Sequence, residues 1–192
     1  MLDELILIPC SCKKEFTSND ESISCNGGKF KENLDETFQE NLDRLQKRIA
    51  DNFNINLEKR EEYPACKIYK GKLYSQLDEK IWKELEKSDD KEVCIVNPLY
   101  GVIHWAEPIV IHDLTMEDNI GKNRLNTWWK NNDLSDILTN YIVNNDFDLV
   151  RSLLPVSHKK TMPFIQYNLD IEWLQYDYPK LRSGSNYYRG WD

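Results

Sequence analysis

The residues of this 192-residue chain whose types and spacing could do chemistry fall in four short constellations. The first is Cys10-Ser11-Cys12-Lys13-Lys14, which follows the apolar run Leu5–Pro9. A turn at a strand's end offers backbone N–H groups, a hydroxyl and ammonium groups together, a set that suits phosphate or carboxylate. It lacks the glycines of a P-loop, and an ordinary polar surface turn explains the same residues. The second is the thiol set Cys10, Cys12 and Cys25. No closely spaced Cys/His pair completes a zinc site, since His104, His112 and His158 are scattered. The expectation is therefore free or buried thiols, with no metal and no cofactor. The third joins Leu99-Tyr100-Gly101 with Glu107-Pro108 and His112-Asp113. An imidazole beside a carboxylate suits proton transfer, although neighbours in sequence need not converge in space. The fourth is the tail with Lys180, Arg182, Tyr187, Tyr188, Arg189 and Trp191. Interleaved cations and rings could stack bases and hold phosphate, or simply dock the C-terminus on the core.

Positioning these groups is the task of an alternating set of elements. Leu5–Pro9 is apolar on both faces and reads as a central, parallel strand. Leu34, Phe38, Leu42, Leu45 and Ile49 recur at helical spacing, as do Leu77, Ile81, Trp82 and Leu85 within a helix read from Leu73 to Leu85. Lys91–Val96 is a second buried strand, Ile109–Ile111 a short edge strand and Phe147–Leu154 a third main strand. Asn123 to Val143 reads as one helix with Leu125, Trp128, Trp129, Leu134, Ile137, Leu138 and Tyr141 facing the core. Strands alternating with helices predict an α/β fold, a single mixed or parallel sheet flanked by helices. Each main strand runs into a polar turn, the third into Ser157-His158-Lys159-Lys160. Ligands of open α/β sheets bind at such strand ends.

Composition bounds the rest. With no evident linker, residues 1–192 read as one domain, long enough to bury roughly 70% of the unfolded surface without disulfides. The formal net charge of −8 removes any global attraction to nucleic acid or an anionic membrane, so binding must use a local basic patch. No apolar stretch approaches the roughly 18 residues of a membrane span. The opening residues carry acids rather than a signal-peptide pattern, and five cysteines is an odd number. Reduced thiols, a cytoplasmic location and no membrane partner are the expectation.

Several segments together resemble the YaaA family of peroxide stress proteins. Pro64-Ala65 followed by Tyr69-Lys70-Gly71-Lys72-Leu73-Tyr74-Ser75-Gln76-Leu77-Asp78 is similar to a family segment with Pro-Ala, a Lys-Gly turn and an aromatic-rich strand end. Leu99-Tyr100-Gly101-Val102-Ile103, then Ile109, Leu114 and Met116, resembles a second block, and Leu125 to Trp129 a third. The matched blocks span most of Met1 to about Leu154. Pro9-Cys10-Ser11 with Lys13 and Lys14 stands where the family has Ser-Pro-Ala-Lys, and looks closer to YaaA-like domains of archaeosine-type tRNA-modifying enzymes. The family's Tyr-Arg is here His112-Asp113, and its helix-hairpin-helix element has no clear counterpart. The resemblance implies a YaaA-like fold and a stress-response protein that binds nucleic acid, DNA ahead of RNA. Lys13, Lys14, Lys70, Lys72, Arg182 and Arg189 would line its basic cleft. The alternative is an enzyme or enzyme-like module acting on a nucleotide or modified base. Ser11, Lys14, Tyr100, His112 and Asp113 would then surround its pocket.

Overall fold

A computed structural model of the chain describes residues 3–15, 29–58, 62–163 and 171–176. Cys25, most of the polar segment before Phe30, and the tail with Arg182 and Arg189 lie outside the described residues. Strand β1 (Glu4–Pro9) is the middle strand of a five-stranded sheet. It pairs in parallel with β3 (Lys91–Asn97) and β8 (Leu149–Ser152), with Leu7 level with both Cys94 and Ser152. Strand β9 (Glu172–Gln175) adds in parallel to β8, and β4 (Gly101–His104) returns antiparallel on β3. Leu5 and Leu7 on one face have no exposed surface and Ile8 on the other is 3% exposed, as expected of a strand covered on both faces. The expected α/β class, a mixed and mostly parallel sheet flanked by helices, is what the chain forms.

Helix α1 (Glu36–Asn52) buries Leu42, Leu45, Ile49 and Ala50, and α5 (Leu134–Asn144) buries Leu134, Ile137, Leu138, Tyr141 and Ile142. Each fully buried aliphatic contributes about 2 kcal/mol relative to exposure. Phe30 stacks on Tyr141 with ring centroids 4.2 Å apart, tying the chain before α1 to α5. Two short ladders complete the frame: β2 (Glu62–Pro64) with β5 (Pro108–Val110), and β6 (Asn119–Ile120) with β7 (Asn123–Arg124).

Two expected elements differ and one strand was not expected. The helix expected over Asn123–Val143 is two helices, α4 (Leu125–Lys130) and α5, because Asp133 sits at φ 59 between them. Asp is among the few non-glycine residues that tolerate this left-handed region, and there it ends helical continuity. The helical pattern from Leu73 to Leu85 likewise splits into a 3-10 turn (Tyr74–Gln76) and α3 (Glu79–Glu86). Asp78 caps α3 by accepting the Ile81 N–H at 3.0 Å. The hairpin strand β4 was not expected. The Asn97 side chain folds the β3–β4 turn, its Oδ1 accepting the Leu99 and Tyr100 N–H groups at 2.7 and 3.0 Å. Gly101 completes the turn at φ +79. There a Cβ would lie 3.0 Å from both Leu134 and Trp129.

Candidate functional site

The parallel strands β1, β3 and β8 deliver their C-terminal ends to the same edge of the sheet, and the residues beyond them converge there. The β1 turn is fixed first. The Lys13 N–H donates to Ser11 Oγ at 3.1 Å, and Ser11 is buried. The chain then makes an antiparallel bridge between Lys14 and Tyr69. The Lys70 N–H donates to Lys13 O and the Glu15 N–H to Ile68 O, each at 2.9 Å. This clasp brings Lys13, Lys14 and Lys70 to one place, with Lys72 two residues past Lys70. Lys13 and Lys72 are exposed and Lys70 is half-buried. Short α2 (Ala65–Ile68) and the left-handed Gly71 (φ 117) shape the segment that presents them.

Beneath the clasp lies a buried polar chain. Asn97, fully buried at the end of β3, donates through Nδ2 to the Tyr69 hydroxyl at 2.5 Å. His112 is also buried, with its Nε2 3.3 Å from that same amide nitrogen. Its Nδ1 accepts the Leu114 N–H at 3.2 Å. A neutral ring can accept at only one of these two nitrogens, so its tautomer selects between Asn97 and the Leu114 N–H as donor. Tyr74 donates to Pro9 O at 2.8 Å. Burial raises the Tyr69 and Tyr74 hydroxyls well above the usual phenol value, so both remain protonated donors.

The third strand's turn closes the same edge. Helix α6 (Val156–Lys159) places His158 Nε2 3.5 Å from Cys10 Sγ, with Nδ1 3.1 Å from Ser157 Oγ. Burial pushes His158 down to about 4, so the ring is neutral. Cys10 as a residue is partly exposed, but its sulfur lies against buried His158. Burial of that thiol raises it to about 12, partly offset by the positive charge of Lys14. The thiol is therefore no thiolate nucleophile at neutral pH. Lys14 itself is unusual. Its Nζ is buried and donates to no hydrogen-bond partner, and among the described residues it has no ion pair.

A separate cavity of about 730 Å³ opens on the far side of His112, lined by Phe53, Ile55, Tyr63, Ile111, His112, Asp113, Leu114 and Asp118. Of the residues expected to surround a pocket, only His112 and Asp113 line this one. Asp113 is exposed, whereas His112 is buried with its Nε2 near Asn97. The Tyr100 hydroxyl accepts the Val110 N–H at 3.0 Å, and its ring centroid lies 6.3 Å from that of His112. Ser11 and Lys14 belong instead to the clasped turn. Sequence reasoning missed Asn97, Tyr69 and His158 as parts of the site. One signal was present: a polar Asn ends an otherwise apolar strand immediately before Pro98.

No three His, Cys, Asp or Glu side chains among the described residues converge as a metal site. No helix among them is long and apolar enough to cross a membrane. A family model described as peroxide stress protein YaaA matches residues 5–183. A search of curated proteins finds no match.

Proposed function

This chain belongs to the peroxide stress protein YaaA family, and on that premise we propose that it binds nucleic acid, DNA ahead of RNA, through the lysine clasp at the end of β1. The observation that carries this reading is the Lys14–Tyr69 bridge. It gathers Lys13, Lys14, Lys70 and Lys72 at one sheet edge of a chain whose net charge is −8. A local cationic patch is what such an acidic protein needs to hold a phosphate backbone. The reading places the protein in the cytoplasm, as one domain. The similarity of Pro9-Cys10-Ser11 to archaeosine-type domains makes structured RNA the second probe.

The test is fluorescence anisotropy with labelled duplex, single-stranded and junction DNA and a structured RNA, at low and physiological salt. Wild type and Lys13/Lys14→Ala are compared. Binding should weaken steeply with salt, by about 0.9 in the log–log slope for each duplex phosphate neutralised. The variant should lose most of it. A flat salt response, or no binding to any probe at low salt, overturns the reading.

The alternative, a module acting on a nucleotide or modified base, draws support from the cavity beyond His112. Phe53 and Tyr63 offer rings for a base, and Asp113 and Asp118 offer acceptors for its amino groups. A small-molecule screen that finds nucleosides protected by Tyr63→Ala-sensitive binding would favour it.

A further inference from the structure

We propose that Lys14 forms the floor of a seat for a terminal phosphate, a phosphomonoester rather than the diester of a continuing backbone. The inference rests on the nucleic-acid reading for its source of ligand, but not for its chemistry. The observation is a charge without an answer. An ammonium taken out of water needs a counter-ion or a full set of acceptors. Lys14 Nζ has no hydrogen-bond partner, and no described carboxylate pairs with it. The described groups tied to it are neutral. The Cys10 thiol feels its charge, the Tyr69 hydroxyl belongs to the residue bridged to it, and His158 contacts that thiol. None of these supplies a negative charge at neutral pH. A bound oxyanion would.

Neighbouring donors fit the same ligand. Ser11 Oγ accepts the Lys13 N–H, which leaves its own O–H to donate. The surface lysines Lys13 and Lys72 suit a passing backbone, because they are exposed point charges. Lys14 differs because its Nζ is buried. A terminal phosphate can approach a buried ammonium end-on where an uninterrupted backbone cannot, and its monoester brings a second negative charge at pH 7.

The test compares a 5′-phosphorylated oligonucleotide with its 5′-hydroxyl twin, and inorganic phosphate and a nucleoside monophosphate as free competitors. Wild type, Lys14→Met and Lys13→Ala are measured by anisotropy and calorimetry. Wild type should prefer the phosphorylated end by about tenfold or more, the size of one desolvated charge-assisted contact. Lys14→Met should erase the preference, and Lys13→Ala should keep it while weakening both oligonucleotides. Thermal melts confirm that Lys14→Met folds. Removing an unpaired buried charge should leave its unliganded melting temperature equal or higher. A phosphate preference that survives in Lys14→Met overturns the proposal. So does equal binding of the two ends with no binding of free phosphate, in which case salt-sensitive oligonucleotide binding would leave the nucleic-acid reading standing. Lys14-dependent binding of the free monophosphate with no oligonucleotide binding supports the seat and removes that reading.

Discussion

The lysine clasp and the cavity beyond His112 share one wall, yet they are chemical opposites. On the clasp side, Tyr69 and Asn97 stand beneath Lys13, Lys14 and Lys70. On the cavity side, His112 joins Phe53 and Tyr63 with the acids Asp113 and Asp118. A phosphate is drawn to the first and repelled from the second, whereas an uncharged ring is better served by the second. Net charge describes neither. What matters is which loops the strand ends bring together, and Asn97 beside His112, which lines the cavity, stands between the two.

The largest expected effect comes from removing that wall. Asn97→Leu takes the acceptor from two buried N–H groups and the donor from Tyr69. Stranding buried donors should cost about 3 kcal/mol, and both regions should lose their form together. Urea unfolding gives the number, and a loss below about 1 kcal/mol would show the wall to be dispensable.

Acid should act on the clasp side through His158. Its folded value of about 4 lies below the ordinary 6.5, so below pH 6.5 the unfolded chain takes up a proton that the folded chain refuses. Stability should fall between pH 6.5 and 4, with a ceiling of about 3 kcal/mol. Glu107 works in the opposite sense. Burial raises it to about 7 against two backbone donors, the Phe30 and His104 N–H groups. Its contribution therefore improves as pH falls from 7 toward 4.5. His158→Gln should flatten the acid limb and Glu107→Gln should flatten the neutral one. Chemical denaturation at pH 4.5, 6 and 7.5 checks both signs. The same slope in wild type and both variants would contradict them.

Charge reversal separates the regions by binding. Lys70→Glu should weaken a duplex probe by about tenfold and lower the salt slope by about 1. Asp113→Asn should leave affinity within about twofold, or raise it slightly. Equal losses in the two variants would mean that the nucleic acid does not choose between the surfaces.

The smallest effect is a difference in thiol reactivity two residues apart. Cys12 is exposed, whereas the Cys10 thiol is buried and held at about 12. A maleimide should label Cys12 first in the native protein, and Cys10 only on unfolding. Matched labelling rates would place the Cys10 sulfur at the surface.

Much of the frame was legible because both periods are strong. Leu5–Pro9 and Lys91–Val96 announced buried parallel strands, and Leu42, Leu45 and Ile49 a helix face. What escaped were the interruptions. Asp133 and Asp78 break helical patterns through backbone angle and capping, effects that hydrophobic spacing does not carry. The hairpin at β4 was hidden for a related reason: Asn97 turns the chain with its own side chain inside an apolar stretch. In the site, Ser11, Lys13, Lys14 and Lys70 were visible as types, but the Lys14–Tyr69 bridge that unites them joins residues far apart in sequence. The His112-Asp113 pair misled in the other direction. Both residues line the cavity, but His112 is buried against Asn97 while Asp113 is exposed.

The most direct test of the central claim is hydrogen–deuterium exchange of the protein with and without a duplex DNA at low salt. The account predicts slowed exchange in 10–15 and 68–72, with 111–118 unchanged. Protection confined to 111–118, with the lysine clasp exchanging as in the free protein, would contradict it.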